Sequence, residues 1–118
     1  MKTQNQWNIL RWSLEELSNK DLQEQLWLGK IEGQMSTFVE CICGVFDDSG
    51  LARAIEAETL EKGFTKEMKE LAEKLSSLIS KIPQTGDDSN VLKNSRIDEV
   101  RKVAATFLAL LPPPTDLN

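Results

Sequence analysis

The stretch FTKEMKELAEKLSSLISKI, residues 64–82, carries the clearest periodicity of this 118-residue sequence. Apolar side chains recur in it at alternating steps of four and three, which places them on one face of an α-helix. Thr65 is suited to cap the first turn, and Pro83 ends the pattern. The stretch therefore predicts an amphipathic helix whose inward face consists of Phe64, Met68, Leu71, Leu75, Leu78 and Ile82.

The N-terminal quarter of the chain repeats this pattern twice. Residues 7–17 place an apolar stripe on one helix face, formed by Trp7, Leu10, Leu14 and Leu17. A second helix follows, with Ser18 or Asp21 as its cap and an end near Gly29. Its expected inward residues are Leu22, Leu26 and Trp27.

A third helix is predicted from residue 38 onward. Thr37 and Glu40 have the spacing of a capping box, and the sequence DDSG would end the helix with Gly50 in a left-handed turn. Its inward face would be Phe38, Ile42, Val45 and Phe46. Residues 51–63 are helix-prone but irregular, which predicts one short helix and a loop.

The C-terminal part predicts a loop, a short turn at residues 91–94 and a last helix capped by Asn94 or Ser95. The inward residues of that helix would be Ile97, Val100, Ala104, Phe107 and Leu111. We therefore predict an all-α fold, a single compact bundle of five to six helices. It would form one domain over residues 1–118, with a core at about 5–111 and a Pro-rich frayed tail at 112–118.

Composition narrows the class of function. The formal charge is −5 and the pI about 4.8, which disfavours a nucleic-acid or membrane surface and favours a cationic partner. Histidine and tyrosine do not occur, so the commonest general base is missing. We expect no signal peptide, since the start lacks an apolar run. The longest such run, residues 103–111, is too short to span a bilayer. With two cysteines, a cytoplasmic location is expected.

The segment CICGVFDDSGLA, residues 41–52, concentrates the residues that carry chemistry. Cys41 and Cys43 form only a CxC pair, whereas a structural zinc site needs four ligands. On a helix the two thiols point apart, so we expect one buried and one semi-exposed cysteine. An EF-hand calcium loop that starts at Asp47 or at Asp48 does not fit the sequence, because the required oxygen ligands and glycine do not fall at the required positions.

Catalysis has little support in the same segment or elsewhere. Ser49 has no histidine to activate it, and no Ser-Lys motif is recognisable. The pairs at residues 47–48 and 87–88 are typical of solvated turns rather than of acid–base sites. We therefore expect no enzyme activity and no cofactor or metal.

With catalysis and metal binding disfavoured, the remaining candidate for a function is a binding surface. We predict an acidic partner-binding patch formed by Asp47, Asp48, Glu56, Glu58 and Glu61, which suits a basic target through steering and charge-assisted hydrogen bonds. A solvated face without any partner explains these charges equally well. At least one of three tryptophans should lie in the core, and Trp12 is the one proposed as an exposed apolar anchor.

The order WNILRWSLEELSNKDLQEQLW, a glycine loop, FDDSGL, KELAEKLSSLI and RIDEVRKVAATFLALL resembles a group of small acidic helical bacterial proteins. Many of these are immunity proteins encoded beside toxins of the contact-dependent growth inhibition or polymorphic toxin type. The likeness covers about residues 7–111. It is carried by the L-x-D-x-x-Q-x-x-x-W-like segment from Leu17 to Trp27, with altered spacing, and by Phe46-Asp47-Asp48.

The resemblance implies a cytoplasmic antidote that binds one cognate toxin domain, often a nuclease, and occludes its active site. Phe46 would pack, while Asp47 and Asp48 would end a helix and shape the next loop. The expected state is a monomer or weak homodimer, with no direct contact to nucleic acid or membrane. The alternative is a non-catalytic helical adaptor or structural subunit that self-associates through an apolar face.

Overall fold

The computed structural model describes residues 4–29, 36–52, 65–83 and 88–111, and of residues 4 and 5 the backbone alone. These ranges contain helices, turns and bends but no strand. The helices are α1 (Gln4–Ser18), α2 (Lys20–Trp27), α3 (Phe38–Cys43), α4 (Lys66–Ser80), α5 (Asp88–Lys93) and α6 (Arg96–Leu110). Helix α3 continues directly into a π-helical segment, Gly44–Asp48. The predicted all-α bundle of five to six helices is confirmed.

The helices are arranged as a row with α1 near its middle. Helix α1 packs most extensively on α6, and α6 packs on α4 along its other side. The π-helical segment and α3 cover the opposite flank of α1, while α2 bridges α1 and α5. The molecule measures 38 × 33 × 20 Å. Since a helix with its side chains is about 10–12 Å wide, the shortest dimension corresponds to about two helices.

The buried faces follow the predicted stripes in α1 and α6 and are shifted in α2, α3 and α4. In α2 the predicted Leu22 and Leu26 are only half-buried, and Gln23 is buried together with Trp27. In α3 and the π-helical segment Ile42 and Phe46 are half-buried, and Cys41 is buried together with Phe38 and Val45. In α1, Leu10, Leu14 and Leu17 are fully buried, and Trp7 is half-buried against them. All five inward residues predicted for α6 are buried, together with Val103. In α4 the stripe is centred differently: Leu71 and Leu78 are half-buried and lie at its edge. Ala72 and Ile79 are buried in their place; the small Ala72 fits a close packing of α4 on α6. Phe64 lies outside the described residues.

Two predicted caps are confirmed and one is corrected. The hydroxyl of Thr37 accepts from Glu40 N at 3.0 Å, and that of Thr65 accepts from Met68 N at 3.2 Å. Helix α2 is capped by neither Ser18 nor Asp21 but by Asn19, whose Oδ1 accepts from Leu22 N at 3.1 Å. The reason is that α1 runs through Ser18, so Asn19 is the single residue between the two helices.

The turns at the other helix ends also agree with the sequence. Gly29 and Gly50 have positive φ angles of 67° and 80°, a region that favours glycine. Asn94 Oδ1 accepts from Arg96 N at 2.9 Å, so Asn94 rather than Ser95 supplies the side-chain bond before α6. The short turn predicted at residues 91–94 is instead the end of α5. The predicted elements at 53–63 and the tail at 112–118 lie outside the described residues.

No helix in the described ranges is both long enough and apolar enough to cross a membrane.

Candidate functional site

Trp12 is the most exposed large apolar side chain of the described residues, at 61%. It stands on α1 opposite the face that buries Leu10 and Leu14, because positions two residues away on a helix point to the far side. Trp27 is the core tryptophan, and its ring makes an edge contact with Phe38 at a centroid distance of 5.5 Å. The expectation that one tryptophan is buried and Trp12 exposed is confirmed.

The chain from Cys41 to Gly50 runs antiparallel along α1. Cys41 Sγ donates to Ser13 O at 3.3 Å. A Cβ added to Gly44 would stand 2.2 Å from Ser13 Oγ, and one added to Gly50 would stand 2.9 Å from Gln6 Nε2. Since residue numbers rise on one element as they fall on the other, residues 44–50 lie alongside residues 6–13. The structure therefore brings the aspartate pair onto the element beside the helix of Trp12.

Three exposed carboxylates share this region. Asp47 and Asp48 are exposed at the end of the π-helical segment, and Glu40 is exposed on α3. Glu40 and Asp48 each stand four residues from Gly44, so they lie near the edge that meets α1. We name the surface formed by Trp12, Glu40, Asp47 and Asp48 the acidic face.

Cys43 lies between Glu40 and the two aspartates in the chain, close enough to be influenced by their charges. Partial burial raises the pKa of its thiol, and the carboxylate of Asp47, which is hydrogen-bonded to it, raises that pKa further. Asp48 and Glu40 contribute in the same direction through their charges. The pKa of this half-buried thiol is thus raised by all three carboxylates. The thiol is a poor nucleophile because it stays protonated. Cys41 is the buried thiol, as expected.

Glu40 was not among the residues proposed from the sequence, where its spacing to Thr37 indicated a capping role. Its Oε1 does lie 3.4 Å from Thr37 Oγ1. The sequence does place Glu40 four residues before Gly44, on the same side of the helix. This spacing indicates a position near α1 only when it is known that Gly44 contacts α1. The other proposed acids, Glu56, Glu58 and Glu61, lie outside the described residues. Phe46 is half-buried against the core, in agreement with the packing role that the resemblance implied.

Glu16 of α1 accepts two hydrogen bonds from side chains of the segments that follow. Its Oε2 accepts from Trp27 Nε1 at 2.7 Å and from Ser36 Oγ at 2.9 Å. Burial raises the pKa of the Cys41 thiol, and the nearby carboxylate of Glu16 raises it further. This one side chain therefore connects α1 to α2 and to the start of α3. The sequence carries no local sign of this role, because its hydrogen-bond partners lie 11 and 20 residues away.

The acidic face is formed in the more negative half of the molecule. Residues 4–29 and 36–52, which comprise α1 to the π-helical segment, hold seven acidic side chains and two basic ones. Residues 65–83 and 88–111 hold six acidic and eight basic ones. Among the described residues, the excess of negative charge thus lies in α1 to the π-helical segment.

The chemistry available on this surface is that of binding. It offers carboxylate acceptors, negative charge and one large aromatic ring. Among the described residues, no group of three or more histidine, cysteine, aspartate or glutamate side chains is placed to hold a metal ion. Comparison with protein-family models, with curated proteins and with solved structures gives no match, so the interpretation of this surface rests on its own residues.

Proposed function

We propose that this protein is an immunity protein, which binds a basic, nuclease-type toxin domain through the acidic face and occludes the toxin's active site. The observation that carries the proposal is the exposed Trp12 on α1, next to the segment that bears the exposed carboxylates of Asp47 and Asp48. A large exposed tryptophan costs little conformational entropy on binding and is the residue type most enriched at interface hot spots.

The negative charges of the acidic face are the reason for proposing a basic partner. A nuclease holds phosphates with lysine and arginine side chains, and a protein that presents carboxylates can compete for the same cations through charge-assisted hydrogen bonds. The excess of negative charge in α1 to the π-helical segment would orient the protein during encounter and raise the association rate at low salt. Inhibition of this type requires no catalytic group on the inhibitor.

The direct test is co-expression with the C-terminal domain of whichever protein is encoded immediately upstream of this gene, followed by binding measurements on the purified pair. The wild-type protein is expected to restore growth. Trp12→Ala should weaken binding at least about 30-fold, which corresponds to ~2 kcal/mol. Asp47→Lys with Asp48→Lys should weaken it further and abolish its salt dependence.

The matched control is Glu67→Lys with Glu70→Lys, which changes the net charge equally on the exposed side of α4. This variant should bind and rescue like the wild type. If control and acidic-face variants lose binding to the same extent, charge acts only globally and the acidic face is not the interface. A neighbour that is not toxic, or toxicity that persists, overturns the immunity function for that pair. A wild-type oligomer that Trp12→Ala converts to monomer would support the helical adaptor instead.

A further inference from the structure

The π-helical segment changes which residues face the core after α3. Residues seven apart lie on the same face of an α-helix, because seven residues are close to two turns. A continued α-helix would therefore place Asp48 on the side of Cys41, which is buried. The structure instead exposes Asp48 and buries Ser49 completely. The change of winding thus moves the buried position on by one residue.

The geometry of a π-turn accounts for this shift. Its hydrogen bonds join residues five apart, whereas those of an α-turn join residues four apart, so the π-turn accommodates one residue more. In Gly44–Asp48 the two aspartates occupy the exposed side of the turn, and Val45 lies on the buried side. The winding therefore allows both carboxylates to be exposed at once. Turns of this kind are rare and are frequent at functional sites.

The side chain of Ser49 stabilises the end of the π-helical segment. Its hydroxyl donates to Val45 O and accepts from Leu51 N at 3.2 Å. The backbone amides of Ser49 and Gly50 donate to Asp47 O. The hydroxyl therefore occupies the place at Val45 O that the amide of Ser49 would hold in an α-helix.

The two windings compete for the same acceptor. Val45, Ser49 and Leu51 are all fully buried, and a buried carbonyl that loses its hydrogen bond is costly. Without the hydroxyl, Val45 O would regain a donor if the amide of residue 49 turned to it. That exchange converts the π-turn into an α-turn and rotates Asp48 toward the buried side. The hydroxyl of Ser49 is thus what favours the π winding.

We propose that Ser49 is a positioning residue, whose hydroxyl holds residues 44–48 in the π winding and thereby keeps Asp48 beside Asp47 on the surface. Ser49 is fully buried and so acts only through the aspartates. The winding is a property of the free protein. Its consequence for binding rests on the proposed function, because Asp47 and Asp48 belong to the acidic face.

The winding can be tested without a partner. NMR couplings across hydrogen bonds, measured on ¹³C,¹⁵N-labelled protein, identify the carbonyl that each amide contacts. In the wild type the amide of Asp48 should couple to the carbonyl of Cys43, five residues earlier. In Ser49→Ala it should couple to the carbonyl of Gly44, and the amide of residue 49 should couple to that of Val45. Four-residue couplings in the wild type, or five-residue couplings retained in Ser49→Ala, overturn the proposal.

Two further variants separate positioning from stability. Ser49→Thr keeps the hydroxyl and should keep the five-residue couplings, although its added methyl group lowers stability. Val91→Ala removes buried apolar contacts from α5 and lowers stability at a different place, so it should keep these couplings as well. If Val91→Ala changes the couplings as Ser49→Ala does, the winding depends on stability in general and the positioning role is rejected.

Binding is measured separately, with a toxin domain that the wild-type protein neutralises. Ser49→Ala should bind it at least about tenfold more weakly, and Val91→Ala should stay within about twofold of the wild type. Changed couplings with unchanged binding support the positioning role but reject the acidic face as the interface. A wild-type protein that neutralises no toxin rejects the immunity function and leaves the NMR result standing.

Discussion

At the scale of single residues, Gly44 determines how closely the π-helical segment approaches α1. A Cβ at this position would stand 2.2 Å from Ser13 Oγ and 3.2 Å from Ser13 Cβ. We expect Gly44→Ala to lower the free energy of unfolding by about 1–3 kcal/mol, the usual cost of overpacking. Urea denaturation followed by circular dichroism measures this.

A double-mutant cycle with Ser13→Ala identifies the cause of that loss. Since Ser13→Ala removes the oxygen, the double variant should recover part of the stability, and the two effects should not add. If Gly44→Ala costs the same in both backgrounds, the close contact between these two residues is not what the glycine provides.

The buried thiol of Cys41 predicts a loss of stability at alkaline pH. Burial and Glu16 raise its pKa in the folded state above the ordinary value near 9. The folded protein therefore keeps the proton while the unfolded chain releases it. Stability from this group is complete below about pH 9 and falls as the pH rises toward the folded pKa, by up to ~1.4 kcal/mol per pH unit.

The measurement is the free energy of unfolding of the wild type and of Cys41→Ala between pH 8 and 11. The variant will be less stable near neutrality, but its stability should fall less steeply above about pH 9. Equal slopes would show that the thiol ionises alike in both states. Lysines that titrate in the same range are common to both proteins and cancel in the comparison.

At the scale of elements, the contribution of a helix cap to stability can be tested with a matched pair of threonine variants. Thr65→Ala removes the acceptor for Met68 N and should cost about 1 kcal/mol of stability. Thr106→Ala is the matched control, because its hydroxyl donates only to Lys102 O within α6 and is exposed. It should change stability by less than about 0.5 kcal/mol. A similar loss in both variants would mean that the cap contributes nothing specific to α4.

Most of the helices could be predicted because their signals are local. The stripe of α4, the caps at Thr37 and Thr65 and the turn at Gly50 all depend on residues a few positions apart. The π-helical segment could not be predicted, since its extra residue per turn is accommodated by packing against Ser13, about 30 residues earlier. The burial of Gln23 is of the same kind, because its partner Arg101 is 78 residues away.

The candidate site was predictable in part for the same reason. The exposure of Trp12 and Asp47 follows from their positions opposite a buried stripe and at a helix end. The place of Glu40 in the site could not be predicted, because it depends on the antiparallel packing of α3 on α1. The role of Glu16 could not be predicted either, because it depends on hydrogen bonds from Trp27 and Ser36. Side chains that act through partners distant in sequence leave no periodic signal.

At the scale of the whole molecule, the pair Gln23 and Arg101 connects the N-terminal and C-terminal halves. Arg101 is nine-tenths buried, and within the described ranges its Nη2 has no hydrogen-bond partner. Gln23→Leu removes the acceptor of Arg101 Nε and should cost about 2–4 kcal/mol, because it leaves more of a buried charge uncompensated. Gln25→Leu, an exposed position on α2, is the control and should be nearly neutral.

Replacing both partners tests this explanation. The variant Gln23→Leu with Arg101→Met removes the buried charge together with its acceptor, so its loss should be smaller than the sum of the two single losses. Denaturation curves of the four proteins give the coupling energy. Additivity within about 0.5 kcal/mol would mean that the two side chains act independently.

The packing of α1 on α6 has a consequence for synthesis on the ribosome. Helix α1 has its main packing partner in α6, residues 96–110, which is synthesised much later than α1. Until α6 is synthesised, part of the leucine stripe of α1 lacks its cover, and exposed apolar surface of this kind promotes aggregation. Closure of the core around α1 therefore requires residues 96–110, and a fragment cut before them would expose the leucines that these residues cover.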